Sequence, residues 1–364
     1  MTAVAKKIAA AAGALLLWGC EVQRPPCFTP ASIIEDARVL SVRVDPPEPV
    51  VDLDAGEVPA IAISALFVVG AKDRFGRGSA SEATDATAVA RFCVPPPDAD
   101  RPQTRPGCPA DAKIAGQSLQ TPSPSAPLIL QPPLELLRRS LLEEPLRGFG
   151  GVKLRLQLDL SRNGKQVSAT KTLLFHQKGQ PGSVNHPIEL VGVSADLGVR
   201  GGVQGFAADQ VIPLAVTQVI GLRPLLGTGV GADGPVETYE ALNPDGTLST
   251  LREQVSYRFY AANTLVFQRP DYTVSQQAPA VTFTGPPGGD EADEPEDPSL
   301  FPHGLVSAYD AWPGNQSGTL WIVARDGRGA EAWVRMQYSA REERGACCTD
   351  RFTKCCPQLF YGCL

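Results

Sequence analysis

The chain is poor in histidine, in long apolar runs and in clustered positive charge. His176, His186 and His303 are the only 3 histidines in 364 residues, and none stands in an HExxH arrangement or at metal-ligand spacing. The common zinc-hydrolase site is therefore missing. No GxSxG turn presents a serine nucleophile. Carboxylates are plentiful, but nothing in the pattern selects a pair for glycoside cleavage. These absences argue against catalysis. Beyond the N-terminus no apolar stretch approaches the about 20 residues that cross a bilayer as a helix. No Lys/Arg-rich patch interrupts a sequence of 33 basic and 39 acidic residues, whose formal charge of -6 opposes nucleic acid and anionic membrane surfaces.

What is present begins with an address. Lys6 and Lys7 precede an apolar run from Ile8 to Gly19, too short to span and stay but suited to an export signal. The run ends in Leu17-Trp18-Gly19-Cys20. These residues resemble the lipobox of bacterial lipoproteins, with Leu three places before the cleavage point, a small residue immediately before it and Cys after it; Trp18 departs from the usual small residue between them. The resemblance implies that residues 1–19 are a signal peptide. It also implies that the Cys20 sulfur takes a diacylglycerol and that the new amino terminus is acylated, several chains together making a stable anchor. Glu21 follows where Asp marks inner-membrane retention in some bacteria, so an outer-membrane location is expected. The membrane is thus a partner through lipid, not through charge.

Cysteine usage agrees with export. Beyond Cys20 stand Cys27, Cys93, Cys108, Cys347, Cys348, Cys355, Cys356 and Cys363, an even set that reads as disulfides. Cys93 and Cys108 bracket the Pro-rich "VPPPDADRPQTRPG" and could close that loop, leaving Cys27 to join one of the tail cysteines. The set allows roughly a hundred pairings, so the connectivity stays open. The tail spacing of CC, six residues, CC, six residues and C is not the CxxC pairing of a zinc ribbon. A disulfide knot, and no metal, is expected there.

The 34 prolines and 35 glycines are well above average, yet 43% hydrophobic residues are enough for a packed core. That combination suits short strands with frequent turns. Residues 20–36 read as a lipidated tether. Strands follow in "ARVLSVRVDPP", "VPAIAISALFVVG" and "TAVARFCV". Residues 94–133 read as a Pro-rich loop. "PLELLRRSLLEEPL" is the one helix, with Leu134, Leu137 and Leu141 on one face and Pro133 near its start. In "VKLRLQLDLSRNGKQVSATKTLLF", Leu154, Leu156, Leu158 and Leu160 alternate with Arg155, Gln157 and Asp159, which predicts one buried and one wet face. Asn163-Gly164 suits the positive φ angles of a type I′ turn.

A second hairpin, "GTLWIVARDGRGAEAWVRMQYSA", carries Asp326-Gly327 in the place of Asn163-Gly164. Upstream, "HPIELVGVSA" from His186 answers "DARVLSVRVD" from Asp36. This recurrence suggests a duplicated β domain, residues 37–185 and 186–340, followed by a Cys-rich tail at 341–364. In a two-residue turn Trp321 and Trp333 would lie nearly opposite and pack as a cross-strand pair. Trp312, in "DAWPGNQSG", falls on a loop and is the candidate contact residue.

Short strands between Gly/Pro loops, closed by a hairpin with aromatic anchors, resemble the immunoglobulin-like or PKD-like modules carried in tandem by bacterial surface lipoproteins. The resemblance covers residues 37–340 by pattern only, and the immunoglobulin Cys, Trp, Cys spacing is absent. It implies an all-β fold of two tandem β-sandwiches, with a short helix in the first and the disulfide-rich tail behind. Such sandwiches carry their loops at the ends, the long ones here being residues 94–133 and 285–318.

Two other stretches invite a site and read better without one. Gly229, Gly231 and Gly234 match GxGxxG with Glu253 downstream, but Pro235 and "NPDG" leave no room for the helix a dinucleotide needs. The acidic run from Asp290 to Pro298, and Asp52, Asp54 and Glu57 in "DLDAGE", lack calcium-loop spacing and read as solvated loops. No cofactor is expected. The functional expectation is a non-catalytic, lipid-anchored envelope module that contacts an envelope protein or glycan through its loops. The alternative, an extracytoplasmic solute-binding component or hydrolase, would be favoured by a deep pocket with convergent polar groups.

Overall fold

Alternating apolar side chains build the fold strand by strand. The computed structural model describes residues 34, 36–72, 78–95, 107–143, 150–197, 202–215, 219–227, 238–243, 245–261, 265–267, 271–274, 305–308 and 316–341. All of these belong to one unit, Ala31–Glu343. The N-terminal half holds β1 (Arg38–Asp45), β2 (Val50–Val51), β3 (Ile61–Lys72), β4 (Gly78–Glu82), β5 (Thr87–Cys93), β6 (Ile114–Ser118), β7 (Leu128–Leu130), helix α1 (Leu134–Glu143), β8 (Val152–Arg162) and β9 (Lys165–Gln177). The C-terminal half holds β10 (Leu190–Asp196), β11 (Val203–Ala207), β12 (Val211–Ala215), β13 (Val219–Leu226), β14 (Thr238–Leu242), β15 (Leu248–Arg252), β16 (Val255–Ala261), β17 (Leu265–Phe267), β18 (Asp271–Val274), β19 (Leu305–Ala308), β20 (Gln316–Asp326) and β21 (Glu331–Arg341). Among the described residues the fold is all-β apart from α1.

The β8–β9 hairpin organises the N-terminal half. Arg162 pairs with Lys165, and Asn163 and Gly164 take φ of 50° and 76°, the type I′ turn the sequence calls for. The inward face of β8, Leu154 to Leu160, packs against Val42, Val44, Ile63, Phe67, Phe92 and Phe175. Leu137 of α1 joins this core, and the Ser140 hydroxyl donates to the Lys153 carbonyl at 2.5 Å.

Strand order recurs between the halves. One sheet runs β2-β9-β8-β5-β6 and its counterpart runs β12-β21-β20-β16-β18. In each, the short first strand is parallel to the last strand of its hairpin, β2 to β9 and β12 to β21. The other pairings are antiparallel. The facing sheets again correspond, with β1-β3-β7 matched by β10-β13-β19. In the second half Val193, Leu222, Phe259, Ile322, Val334 and Met336 form the core between the sheets.

Residues 94–133 are not simply loop. Within them β6 pairs with β5 and β7 pairs with β3. Cys93 and Cys108 are bridged, with Cα atoms 5.6 Å apart, as their placement around the Pro-rich segment suggested. The bridge brings the chain back beside β5, so backbone that sequence pattern leaves unpaired finds a ladder. Replacing both cysteines by serine opens a segment of 15 residues. Loop-closure entropy puts the expected cost at about 3 kcal/mol, read as a lower urea midpoint for the double variant than for the oxidised protein.

Candidate functional site

The outward face of the β16–β20–β21 sheet is apolar where an exposed sheet would be polar. Tyr260, Trp321 and Val323 are buried there against Leu40, Leu66, Val68 and Ile34, with Trp333 packed beside them. This is a seam between the halves, separate from the core of either half. Trp321 is 0% exposed, and its indole N–H donates to Glu82 Oε1 at 2.9 Å. Ile34, in the stretch read as tether, is held here by its N–H on the Ala261 carbonyl.

The two tryptophans are not directly opposite. Trp321 faces Arg335 and Trp333 faces Val323, a diagonal pair. The cause is the turn, which is not a two-residue loop: Asp326 N–H donates to the Ala330 carbonyl across Gly327, Arg328 and Gly329, and Gly329 takes φ of 106°. Asp326 Oδ1 accepts the N–H groups of Arg328, Gly329 and Ala330 and so stabilises the wider loop.

That wider loop aims charged groups at the seam. The edge of β1 opposite β3 has no strand partner among the described residues, and an unpaired strand edge must find donors and acceptors elsewhere. They come from side chains. Arg325 Nη2 donates to the Leu40 carbonyl at 2.5 Å and Lys171 Nζ to the Val42 carbonyl at 2.9 Å. Glu331 Oε2 accepts the Val42 N–H at 3.2 Å and the Ser41 hydroxyl at 2.5 Å. Glu331 Oε1 lies 2.8 Å from Lys171 Nζ, and its other oxygen 3.4 Å from Arg325 Nε. Burial pulls the Lys171 ammonium below the ordinary lysine range against the attraction of Glu331. Burial also penalises the Glu331 carboxylate, but Lys171, Arg325 and the Ser41 hydroxyl outweigh it and hold the acid below its usual range. The donors converging on Glu331 favour its ionised form.

A second network ties the segment between the halves to the same turn. Arg328 Nη2 lies 2.7 Å from Glu48 Oε2 and donates to the Ser183 carbonyl at 2.5 Å. Glu48 also accepts the Asn185 N–H at 2.8 Å, and Asn185 Nδ2 donates to Asp326 Oδ2 at 3.0 Å. The Arg328 guanidinium sits 4.4 Å over the Tyr239 ring.

Between β1, β9 and the β16–β20–β21 sheet the seam opens into a cleft of about 1180 Å³. Among the described residues Arg38, Arg155, Lys171, Arg258 and Arg325 line it together with Glu331. In a chain of net charge -6 this gathers basic side chains in one place. Tyr257 borders it through β16, but its side chain packs into the core of the C-terminal half, where burial pushes the phenol up. The fixed cations, hydroxyls and open volume suit binding of an anionic group.

The face expected to be wet on β8 is in part covered. Arg155 is 2% and Asp159 6% exposed. Asp159 pairs with Arg91 and accepts Gln157 Nε2 at 2.8 Å and the Ser168 hydroxyl at 2.6 Å. Cys108 lies over this side, its N–H on Gln157 Oε1 at 2.6 Å. Alternation identified the inward face but could not foresee what covers the other.

Of the residues singled out in the sequence, Cys93 and Cys108 are joined. Cys20, Cys27, Cys347, Cys348, Cys355, Cys356, Cys363, Trp312 and His303 lie outside the described residues, as do Gly229, Gly231, Gly234 and the acidic run. Asp52 accepts the Ala55 N–H at 2.9 Å and pairs with Lys178 at 3.0 Å, a turn contact. His176 sits near the end of β9, with Nε2 3.1 Å from the Gln180 carbonyl. His186 is exposed between the halves. The cleft residues were not identified from sequence, although Lys171 gave a usable signal: it interrupts the apolar face Val167, Ala169, Leu173 and Phe175.

No family model matches the chain, and no curated protein matches it. Among solved structures it is similar to a mutant of the CfaE adhesin of CFA/I enterotoxigenic E. coli, at 14% identity over 79% of each chain and a TM-score of 0.19. It is also similar to extracellular domains 3–5 of Drosophila OTK, at 9% identity over 84% of this chain and 98% of that one, with a TM-score of 0.18. Likenesses this weak decide nothing about fold or chemistry.

Proposed function

We propose that the chain is an exported, lipid-anchored, non-catalytic binding module of the bacterial cell envelope, built from two tandem immunoglobulin-like β-sandwiches. The repeated strand order supports the tandem reading, because a sheet of the hairpin, its preceding strands and a short parallel edge strand faces a second sheet in both halves. The Leu17-to-Cys20 sequence supports the anchor. The observation that carries the binding function is the cation-lined cleft at the seam, whose polar groups are held by cross-half contacts rather than by mobile loops. The contact site is thereby moved from the loop tips to the seam. That same cleft gives weight to the second reading, an extracytoplasmic solute-binding component, since it gathers convergent polar groups.

Metabolic labelling with an alkyne fatty acid tests the anchor. The mature wild-type chain is expected to take the label and the Cys20→Ser variant to lose it. Equal labelling of both, or none of either, would overturn the envelope reading.

A further inference from the structure

Two carboxylates, Glu48 and Asp326, meet at the junction between the halves, and the nearby cations do not serve them equally. The guanidinium of Arg328, on the same turn as Asp326, goes instead to Glu48 Oε2 at 2.7 Å and to the Ser183 carbonyl. Lys171, which feels the Asp326 charge from β9, and Arg325, its neighbour on β20, are both committed to Glu331. His176 turns Nδ1 toward Glu48 Oε1 at 3.7 Å and Nε2 toward the Gln180 carbonyl. Asp326 is left to dipoles. Its Oδ1 accepts the N–H groups of Arg328, Gly329 and Ala330, and its Oδ2 accepts Asn185 Nδ2 at 3.0 Å. A carboxylate buried without a counter-ion favours its neutral form, and burial does raise this acid above its ordinary 3.8.

Asn185 is built to read that proton. It is 2% exposed, and its main chain is fixed by its N–H on Glu48 Oε2 at 2.8 Å. Its side chain is fixed at one atom only, because Oδ1 is buried with no hydrogen-bond partner among the described residues. The amide can therefore turn over while giving up nothing but its bond to Asp326. With three donors already on Oδ1 of Asp326, Oδ2 is the seat for a proton, and a carboxyl protonated there offers a donor where Asn185 now places one. We propose that Asp326 and Asn185 form a proton-operated clasp between the halves: in acid Asp326 takes a proton from solvent on Oδ2, the Asn185 amide turns over so that its oxygen accepts it, and the junction sheds a buried negative charge. The sign follows. An acid raised in the fold adds stability as the pH falls through its folded value, and that contribution is absent at neutral pH. Arg325, Gly329 and Glu331 of the same hairpin line the cleft, so the clasp works at its rim.

The test follows two signals by NMR in the full chain in detergent, the Asn185 side-chain amide and the Asp326 carboxyl carbon, from neutral pH down to 3.8. Asn185→Ser and Asp326→Asn identify them by their loss. In the wild type both are expected to move together, with one midpoint above 3.8. Asp326→Asn has the shape of the protonated acid, so in that variant the Asn185 amide should stay fixed over the whole range. The urea midpoint of the wild type should also rise relative to that of Asp326→Asn as the pH falls. If the Asp326 carbon titrates and the Asn185 amide does not move, there is no clasp, and the wild-type titration alone decides this should the variant fold poorly. If the amide still titrates in Asp326→Asn and stops in His176→Gln, the proton sits on the imidazole beside Glu48 and the assignment to Asp326 is wrong.

Discussion

Replacing Glu331 by alanine is expected to lower stability by about 3–5 kcal/mol, because it leaves buried positive charge without its counter-ion. Lys171 and Glu331 have side chains 8% and 14% exposed, so water cannot substitute for the lost partner. The same change strips the acceptor from the Val42 N–H and the Ser41 hydroxyl on the open edge of β1. Urea denaturation measures the loss. Lys171→Met combined with Glu331→Leu should recover most of it, since removing both charges also removes the desolvation penalty. Recovery no better than the alanine variant would mean that the ion pair is not what holds the edge. The pH dependence has a definite sign. The Glu331 acid is depressed in the fold from its usual 4.5, so its contribution is complete above 4.5 and is lost as pH falls through the lower folded value. Asp326 runs the other way: burial raises it, against the Asn185 and backbone hydrogen bonds, so protonating it in acid relieves a cost. The stability difference between wild type and Glu331→Gln cancels the Asp326 effect and should shrink only in the acid range.

Trp321→Ala should cost a similar about 3–5 kcal/mol, by a different route. The side chain fills the seam among Leu66, Val68, Tyr260 and Val323, and truncation leaves a cavity between the halves together with a Glu82 carboxylate that has lost its indole donor. The core of neither half includes Trp321. The expected signature is faster amide exchange at the outward positions of β3 and β20 while Leu154 to Leu160 on β8 keep their protection. Trp321→Phe keeps most of the packing and should cost markedly less. Uniform loss of protection through both cores would show that the seam is not a separate unit of stability.

The elements that could be read from sequence are those with a local cause. Asn163-Gly164 needs positive φ and made a type I′ turn. The Leu154 to Leu160 alternation made a buried face, and Leu137 turned the one helix onto the core. The Asp326-Gly327 turn was legible as a turn but not as a three-residue loop, because the Asp326 carboxylate competes for the backbone of the next residues. The cleft was the least legible feature. Its residues come from β1, β9, β16 and the β20–β21 hairpin, spread from Arg38 to Glu331, and each alone looks like an ordinary charged residue on a strand. Lys171 on an apolar face was the one local hint, of the kind edge strands use against unwanted pairing.

The order of amino acids by itself determined an all-β chain and its two hairpins, because each depends on neighbours close along the chain, and it offered the pairing of Cys93 with Cys108 as one among many that the structure then selected. Only the tertiary structure decided that the outward face of one half is the buried seam of the other and that Lys171 and Glu331 meet across 160 residues beside the cleft. Burial and charge pairing between distant segments follow from where folded surfaces come to rest, and periodicity within a strand says which face is apolar but not what will cover it.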